Sequence, residues 1–230
     1  GLGDSTTWGR GSLYQGPPTD YLTRLENRLR GPWTVYNGGH PGYTSADVLG
    51  VADFDLAHRP GVTLLMVGIN DAHYGYSYDT VFQNVRALVD KIRNAGSRVV
   101  LATTTPIIDS GQRATQYVHL RDVVNPAIRA VAAATKVPLI DLWSHFAGLP
   151  NWRTYIYAPH GNHLTDAGYD LVATRFLQAL LKNDLALPPG GTARGPLLAD
   201  VSLGIWDLPV RGARTEAANA SATQLVVDNV

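Results

Sequence analysis

The sequence contains no cysteine, a single methionine and little charge. Without cysteine there are no disulfides, thiolate metal sites or cysteine nucleophiles, so a covalent catalyst must attack through oxygen or nitrogen. Charged residues make up 17% of the chain, below the roughly 25% usual for soluble domains, and nineteen Lys plus Arg balance nineteen Asp plus Glu. A chain with no net charge offers no broad basic surface, and no nucleic-acid partner is expected. No apolar run approaches the roughly 18 residues of a transmembrane helix, so no transmembrane segment is expected. No signal peptide is visible and the chain opens on Gly1-Leu2-Gly3. Localisation is left open, with secretion the first choice, and oligomeric state is open too.

What is present is 230 residues, 45% of them hydrophobic, enough for one α/β domain with its own core. From Trp33 to Lys182, compact apolar runs alternate with helical periods, the pattern of a parallel sheet covered by helices. The strands are expected at Trp33 to Tyr36, Val62 to Val67, Arg98 to Thr103 and Val137 to Asp141. Between Asp79 and Asn94, Val81, Phe82, Val85, Leu88, Val89 and Ile92 recur at three and four. That spacing predicts an amphipathic helix with Asp79 as N-cap and Gly96 as its stop. Ala114 to Thr135 reads as a helix kinked at Pro126, and Thr165 to Leu181 as a helix capped by Thr165. Tyr21, Leu22, Leu25 and Leu29 mark a shorter helix entered near Pro17 and Pro18. The expected division is a domain over 1–182 and an extension of unknown role over 183–230, read as a linker plus short strands.

Four segments fall where a parallel sheet places a ligand, in loops after the carboxyl ends of strands. They are Gly3-Asp4-Ser5-Thr6, then Asn37 to Thr44 (Asn-Gly-Gly-His-Pro-Gly-Tyr-Thr), then Gly68-Ile69-Asn70-Asp71, and finally His160-Gly161-Asn162-His163. In this order and spacing the chain resembles the SGNH/GDSL hydrolase superfamily over residues 1 to 182. The resemblance implies a three-layer α/β/α fold with a flavodoxin-like parallel sheet. It implies that Ser5 is the nucleophile, that His163 is its base, and that Gly39 and Asn70 donate to the oxyanion.

The same residues suit acyl transfer to water on chemical grounds. A serine hydroxyl needs a base to take its proton, and histidine is the side chain that titrates near neutral pH. The tetrahedral oxyanion needs preorganised donors, which the Ser5 amide, the Gly39 amide and the Asn70 side chain could supply from three loops. Nothing calls for a cofactor. His160 and His163 have the spacing of a metal pair, but no third ligand stands beside them, so no metal is expected. His40, His58, His73, His119 and His145 are read as surface or hydrogen-bonded core histidines. Tyr43, His73, Tyr74, Tyr76, Trp152, Tyr155 and Tyr157 are candidates to line an acyl or sugar pocket, with packing an equal reading.

The sequence departs from the superfamily in two places. Members usually carry Asp three residues before the catalytic His, where this chain has His160. His163 must then be oriented by a main-chain carbonyl, by His160 as a third triad member, or by another acid such as Asp141, with the main-chain carbonyl the first expectation. Members also carry a central strand ahead of the Gly-Asp-Ser block, where only Gly1 and Leu2 stand here. Residues upstream of Gly1, or Gln224 to Val227 in the extension, are the candidates to supply it. The function expected is a serine esterase acting on a small-molecule, carbohydrate or lipid ester, with short acyl or acetylated carbohydrate esters preferred. The rival is a binding module of the same fold with weakened catalysis. A nucleotide-binding protein of this fold is less expected than either: Tyr14 stands where the dinucleotide pattern begun at Gly9-Arg10-Gly11 needs its third glycine, and the sequence has no P-loop.

Overall fold

The computed structural model describes residues 1–11, 19–29 and 33–185. Its strands are β1 (Leu2–Gly3), β2 (Gly38–Gly39), β3 (Val62–Met66), β4 (Arg98–Ala102) and β5 (Leu139–Ile140). All pair in parallel in the order β2-β1-β3-β4-β5, the flavodoxin-like order expected. The helices are α1 (Ser5–Trp8), α2 (Tyr21–Glu26), α3 (Ser45–Leu56), α4 (Ile69–His73), α5 (Tyr78–Asn94), α6 (Ala114–His119), α7 (Asn125–Thr135), α8 (Leu142–Ala147) and α9 (Asp166–Lys182). No helix among the described residues is long and apolar enough to cross a membrane.

Side-chain alternation along the strands divides the core into two layers. Leu64, Met66, Val100 and Ala102 pack on one face with residues of α2, α8 and α9, where Tyr21 stacks on Phe176 at 5.0 Å between ring centroids. Leu65, Val67, Val99 and Leu101 pack on the other face with residues of α3, α5 and α7. Complete burial of each such aliphatic side chain contributes about 1.5–3 kcal/mol before entropy is charged against it.

Several boundaries differ from expectation for local reasons. Ser77 caps α5, its side chain accepting from the Thr80 amide, so Asp79 falls inside the first turn, where its charge suits the helix dipole. The segment expected as one kinked helix is α6, a π-helical stretch over Leu120–Val124, and α7 with Pro126 in its first turn. The missing amide of proline is harmless there, and the wider π turn absorbs the offset that a kink would have taken.

Trp33 to Tyr36 is not a strand. The ladder beside β1 reaches only from Tyr36, whose carbonyl accepts from the Gly1 amine at 2.7 Å, through β2 to His40, whose amide donates to Gly3. Trp33, Thr34 and Val35 instead flank a groove of about 260 Å³, lined on its far side by Val62, Thr63 and Leu64. This groove lies at the amino ends of the strands and touches the four motifs only at Asn37 and Gly38. Leu2–Gly3 itself takes the central position ahead of the Gly-Asp-Ser block, between β2 and β3. The run Gln224 to Val227 lies outside the described residues.

Candidate active site

Ser5 follows β1 directly and opens α1. Asp4 caps that turn, its carboxylate accepting from the Thr6 amide at 2.9 Å. Asp4 is almost wholly buried, and burial raises its pKa to about 6 against the opposing amide bonds. Ser5 is thereby held at the carboxyl edge of the central strand, its Oγ 2.8 Å from His163 Nε2 across 158 residues of sequence.

His163 sits in the loop before α9. An antiparallel bridge between Ile156 and Leu164, and the Tyr157 amide donating to the His163 carbonyl at 2.8 Å, fix its backbone. Its Nδ1 lies 3.0 Å from Nδ1 of His160, the two rings edge to face. Both bonds of His163 are satisfied together when Nε2 accepts the Ser5 proton and Nδ1–H donates to His160, which then carries its own proton on Nε2. His160, and not a main-chain carbonyl, therefore faces the base. Asp141 is engaged elsewhere: it caps α8 and pairs with Arg129 at 3.0 Å.

The surroundings of the His163 imidazole disfavour a proton on it. Burial lowers its pKa first, and His160, Arg10 and Arg113 lower it further, to about 3. His163 is thus neutral and free to accept a proton at neutral pH, at the cost of basicity. Arg113 holds the loop that carries the pair, its Nη2 donating to the His160 carbonyl at 3.1 Å and to Asn162 Oδ1 at 3.3 Å. Its Nη1 donates to Gln116 at 2.7 Å.

Two loops follow the strands that flank β1, β2 on one side and β3 on the other. Asn70 lies in the first turn of α4, which follows β3, and donates one Nδ2 hydrogen to the Tyr43 carbonyl at 2.8 Å, which leaves the other free. Asp71 beside it is buried and accepts from both the amide and the hydroxyl of Ser45, so the Asn37 to Thr44 loop is pinned to the Asn70 loop from two sides. Burial raises the Asp71 pKa in spite of those bonds.

The Gly39 amide, expected to serve the oxyanion, is occupied. It donates to Asn37 Oδ1 at 2.9 Å, and a Cβ at this position would strike the Thr7 and Trp8 backbone of α1. Glycine is needed here so that the loop can pass against the helix that carries the nucleophile. Gly42, three residues on, is exposed, and its amide makes no bond to a described residue.

Two further residues at the site were not predicted from sequence. Arg113 lies 47 residues from the carbonyl it holds, with no motif around it. Gly11 has φ +109°, and a Cβ there would run into the Cβ of His163. Of the aromatic candidates, Trp152 is buried and stacks near Tyr117, Tyr157 meets the His160 ring edge to face at 4.9 Å, and Tyr43 stacks on His40. No group of three His, Cys, Asp or Glu able to hold a metal comes together among the described residues.

A doubly covered parallel sheet of flavodoxin-like order, with Ser5 and His163 in hydrogen-bond contact at its carboxyl edge, is the arrangement of an α/β-class hydrolase. Residues 2–171 match the model of the GDSL-like lipase/acylhydrolase family, and the chain belongs to that family. Its fold is similar to the lipase/acylhydrolase from Enterococcus faecalis at 24% identity and TM-score 0.68, over 78% of this chain and 92% of that one. It is also similar to Axe2, an acetylxylan esterase from Geobacillus stearothermophilus, at 20% identity and TM-score 0.63, over 78% and 91% of the two chains. A lipolytic protein of the G-D-S-L family from Veillonella parvula matches at 20% identity and TM-score 0.63, over 77% and 94%. A comparison with curated protein sequences finds no match.

Proposed function

We propose that the protein is a serine esterase that hydrolyses carboxylic esters through an acyl-enzyme on Ser5. The observation that carries this reading is the 2.8 Å contact between Ser5 Oγ and His163 Nε2. Oγ attacks the ester carbonyl as its proton passes to Nε2, and the carbonyl oxygen becomes the oxyanion. The free Nδ2 hydrogen of Asn70 and the amides of Ser5 and Gly39 receive it, the Gly39 amide giving up its bond to Asn37 to do so. Collapse breaks the bond to the alcohol oxygen, which leaves with the proton from His163. Water, deprotonated by the same nitrogen, then attacks the acyl carbon and frees the acid and Ser5.

His160 holds the Nδ1–H tautomer throughout, as an acceptor without charge. Short acyl or acetylated carbohydrate esters fit best, because the motif loops carry Tyr43, Tyr157, His160 and His163 and, among the described residues, no long aliphatic run; the acetylxylan esterase among the structural neighbours agrees with this preference. The test is hydrolysis of 4-nitrophenyl esters from acetate to laurate by the wild type and by Ser5→Ala. Turnover that falls with chain length and is abolished in the variant is expected. Turnover that persists in Ser5→Ala contradicts the reading.

A further inference from the structure

Asn70, the proposed oxyanion donor, shares a helix face with an exposed aromatic. It lies in the first turn of α4, and the Tyr74 amide donates to its carbonyl at 3.0 Å, so the two residues stand one helical turn apart. Residues four apart on a helix have Cβ atoms about 5–6 Å from each other, and a helical side chain leans towards the amino end. Tyr74 is thereby carried back over the Asn70 turn. Its side chain is nevertheless 64% exposed, a large apolar face left uncovered beside the site.

The segment that carries this ring is fixed. Tyr74 meets the His73 ring edge to face at 5.0 Å between centroids. The Tyr76 amide donates to the Asp71 carbonyl at 2.9 Å, and His119 Nε2 donates to the Tyr76 carbonyl at 2.8 Å. The Tyr76 hydroxyl reaches Thr44 Oγ1 at 3.5 Å, which ties the turn to the loop that also bonds Asn70. A tyrosine has two side-chain torsions and stands here on a braced turn, so a ligand that settles on it orders little else.

The composition of the surface selects what settles there. Residues 73–80 include no Lys, no Arg and no aliphatic side chain, and their one charged residue is Asp79. An interfacial surface that binds lipid needs the opposite, aliphatic side chains with a basic rim. The face of a tyrosine ring carries partial negative charge and attracts the weakly positive C–H face of a pyranose, whose hydroxyls stay at the edge among water and polar neighbours.

Building on the esterase reading, we propose that Tyr74 is a specificity residue that stacks on a sugar ring of a neutral acetylated oligosaccharide and so sets the ester beside Asn70 and Ser5. The alcohol portion of the substrate is then recognised by the helix that supplies the oxyanion donor.

The test compares acetylated xylotriose with ethyl acetate, which carries the same acyl group on an alcohol with no ring to stack. Acid release gives kcat/KM for each. The ratio of sugar ester to ethyl acetate is expected to fall about three- to tenfold in Tyr74→Ala, mostly through KM, as the loss of one aromatic stack implies. Tyr74→Trp should keep the ratio, and Tyr74→Leu, apolar but without a flat face, should lose it as alanine does. An unchanged ratio in Tyr74→Ala, or a wild-type ratio in Tyr74→Leu, overturns the inference while leaving the esterase reading intact. A larger loss on micellar 4-nitrophenyl laurate than on the sugar ester overturns it in favour of a lipid surface. Saturation-transfer NMR on Ser5→Ala decides the question without turnover. Transfer from aromatic protons to the sugar C–H protons of acetylated xylotriose supports the inference, and transfer that persists undiminished in Ser5→Ala/Tyr74→Ala overturns it. Failure of the folded wild type to hydrolyse either ester counts against the esterase reading alone.

Discussion

The Nδ1 atoms of His160 and His163 face each other at 3.0 Å in the place where an aspartate would hold the base of a serine triad. A neutral imidazole orients the tautomer as a carboxylate does, but lends no negative charge to the imidazolium. Removing that carboxylate from a serine protease costs about 10⁴ in turnover, which bounds what is at stake at position 160. His160→Asp should therefore raise kcat on a neutral ester and move the acid limb of the kcat/KM profile to higher pH, because an adjacent carboxylate raises the pKa of His163. His160→Ala should lower kcat. Rate–pH profiles for both check this, and unchanged profiles in both would mean that another group orients the base.

Asn70 gives one side-chain hydrogen to the Tyr43 carbonyl, and the proposed mechanism assigns the other to the oxyanion. Loss of such a donor costs about 10² to 10³ in kcat in other serine hydrolases, so Asn70→Ala should fall by that order with KM little changed. A fall in thermal stability with kcat intact would assign Asn70 to the loop contact only.

Gly11 backs directly onto His163. In Gly11→Ala the new methyl meets the Cβ of the base in a backbone conformation unfavourable to alanine. The variant should lose about 1–3 kcal/mol of stability and most of its turnover, since moving the imidazole lengthens the contact with Ser5. Chemical denaturation and kcat together check it.

Stability should also record the depressed pKa of His163. The unfolded chain protonates this residue near its ordinary 6.5, the folded chain only at about 3. Its contribution is present above pH 6.5 and is lost as pH falls towards 3. Asp4 works in the opposite sense: its pKa is raised from 3.8 to about 6 in the fold, so its contribution is present below 3.8 and is lost as pH rises through 6. The difference in unfolding free energy between wild type and His163→Gln isolates the histidine, and it should fall between pH 6.5 and pH 4. A flat difference contradicts the assignment.

Much of this site was legible in the sequence, for a reason that particular residues show. Ser5, Asn70 and His163 each sit within a few residues of a glycine turn and an element boundary, so their placement follows from local chain geometry. The amphipathic period of α5 and the Thr165 cap of α9 are local in the same sense. What the sequence hid depends on contacts between distant segments. The Gly39 amide looks free until Asn37 is seen to take it, and Asp141 looks available until Arg129 and α8 claim it. Trp33 to Tyr36 has the composition of a strand, but strand formation requires a neighbouring backbone, and only Tyr36 finds one.

The measurement that bears most directly on the account is labelling with a fluorophosphonate, followed by mass mapping of the adduct. The Ser5–His163 pair predicts stoichiometric modification at Ser5, lost in Ser5→Ala and slowed by orders of magnitude in His163→Ala. An adduct on another residue, with Ser5 unmodified, would contradict it.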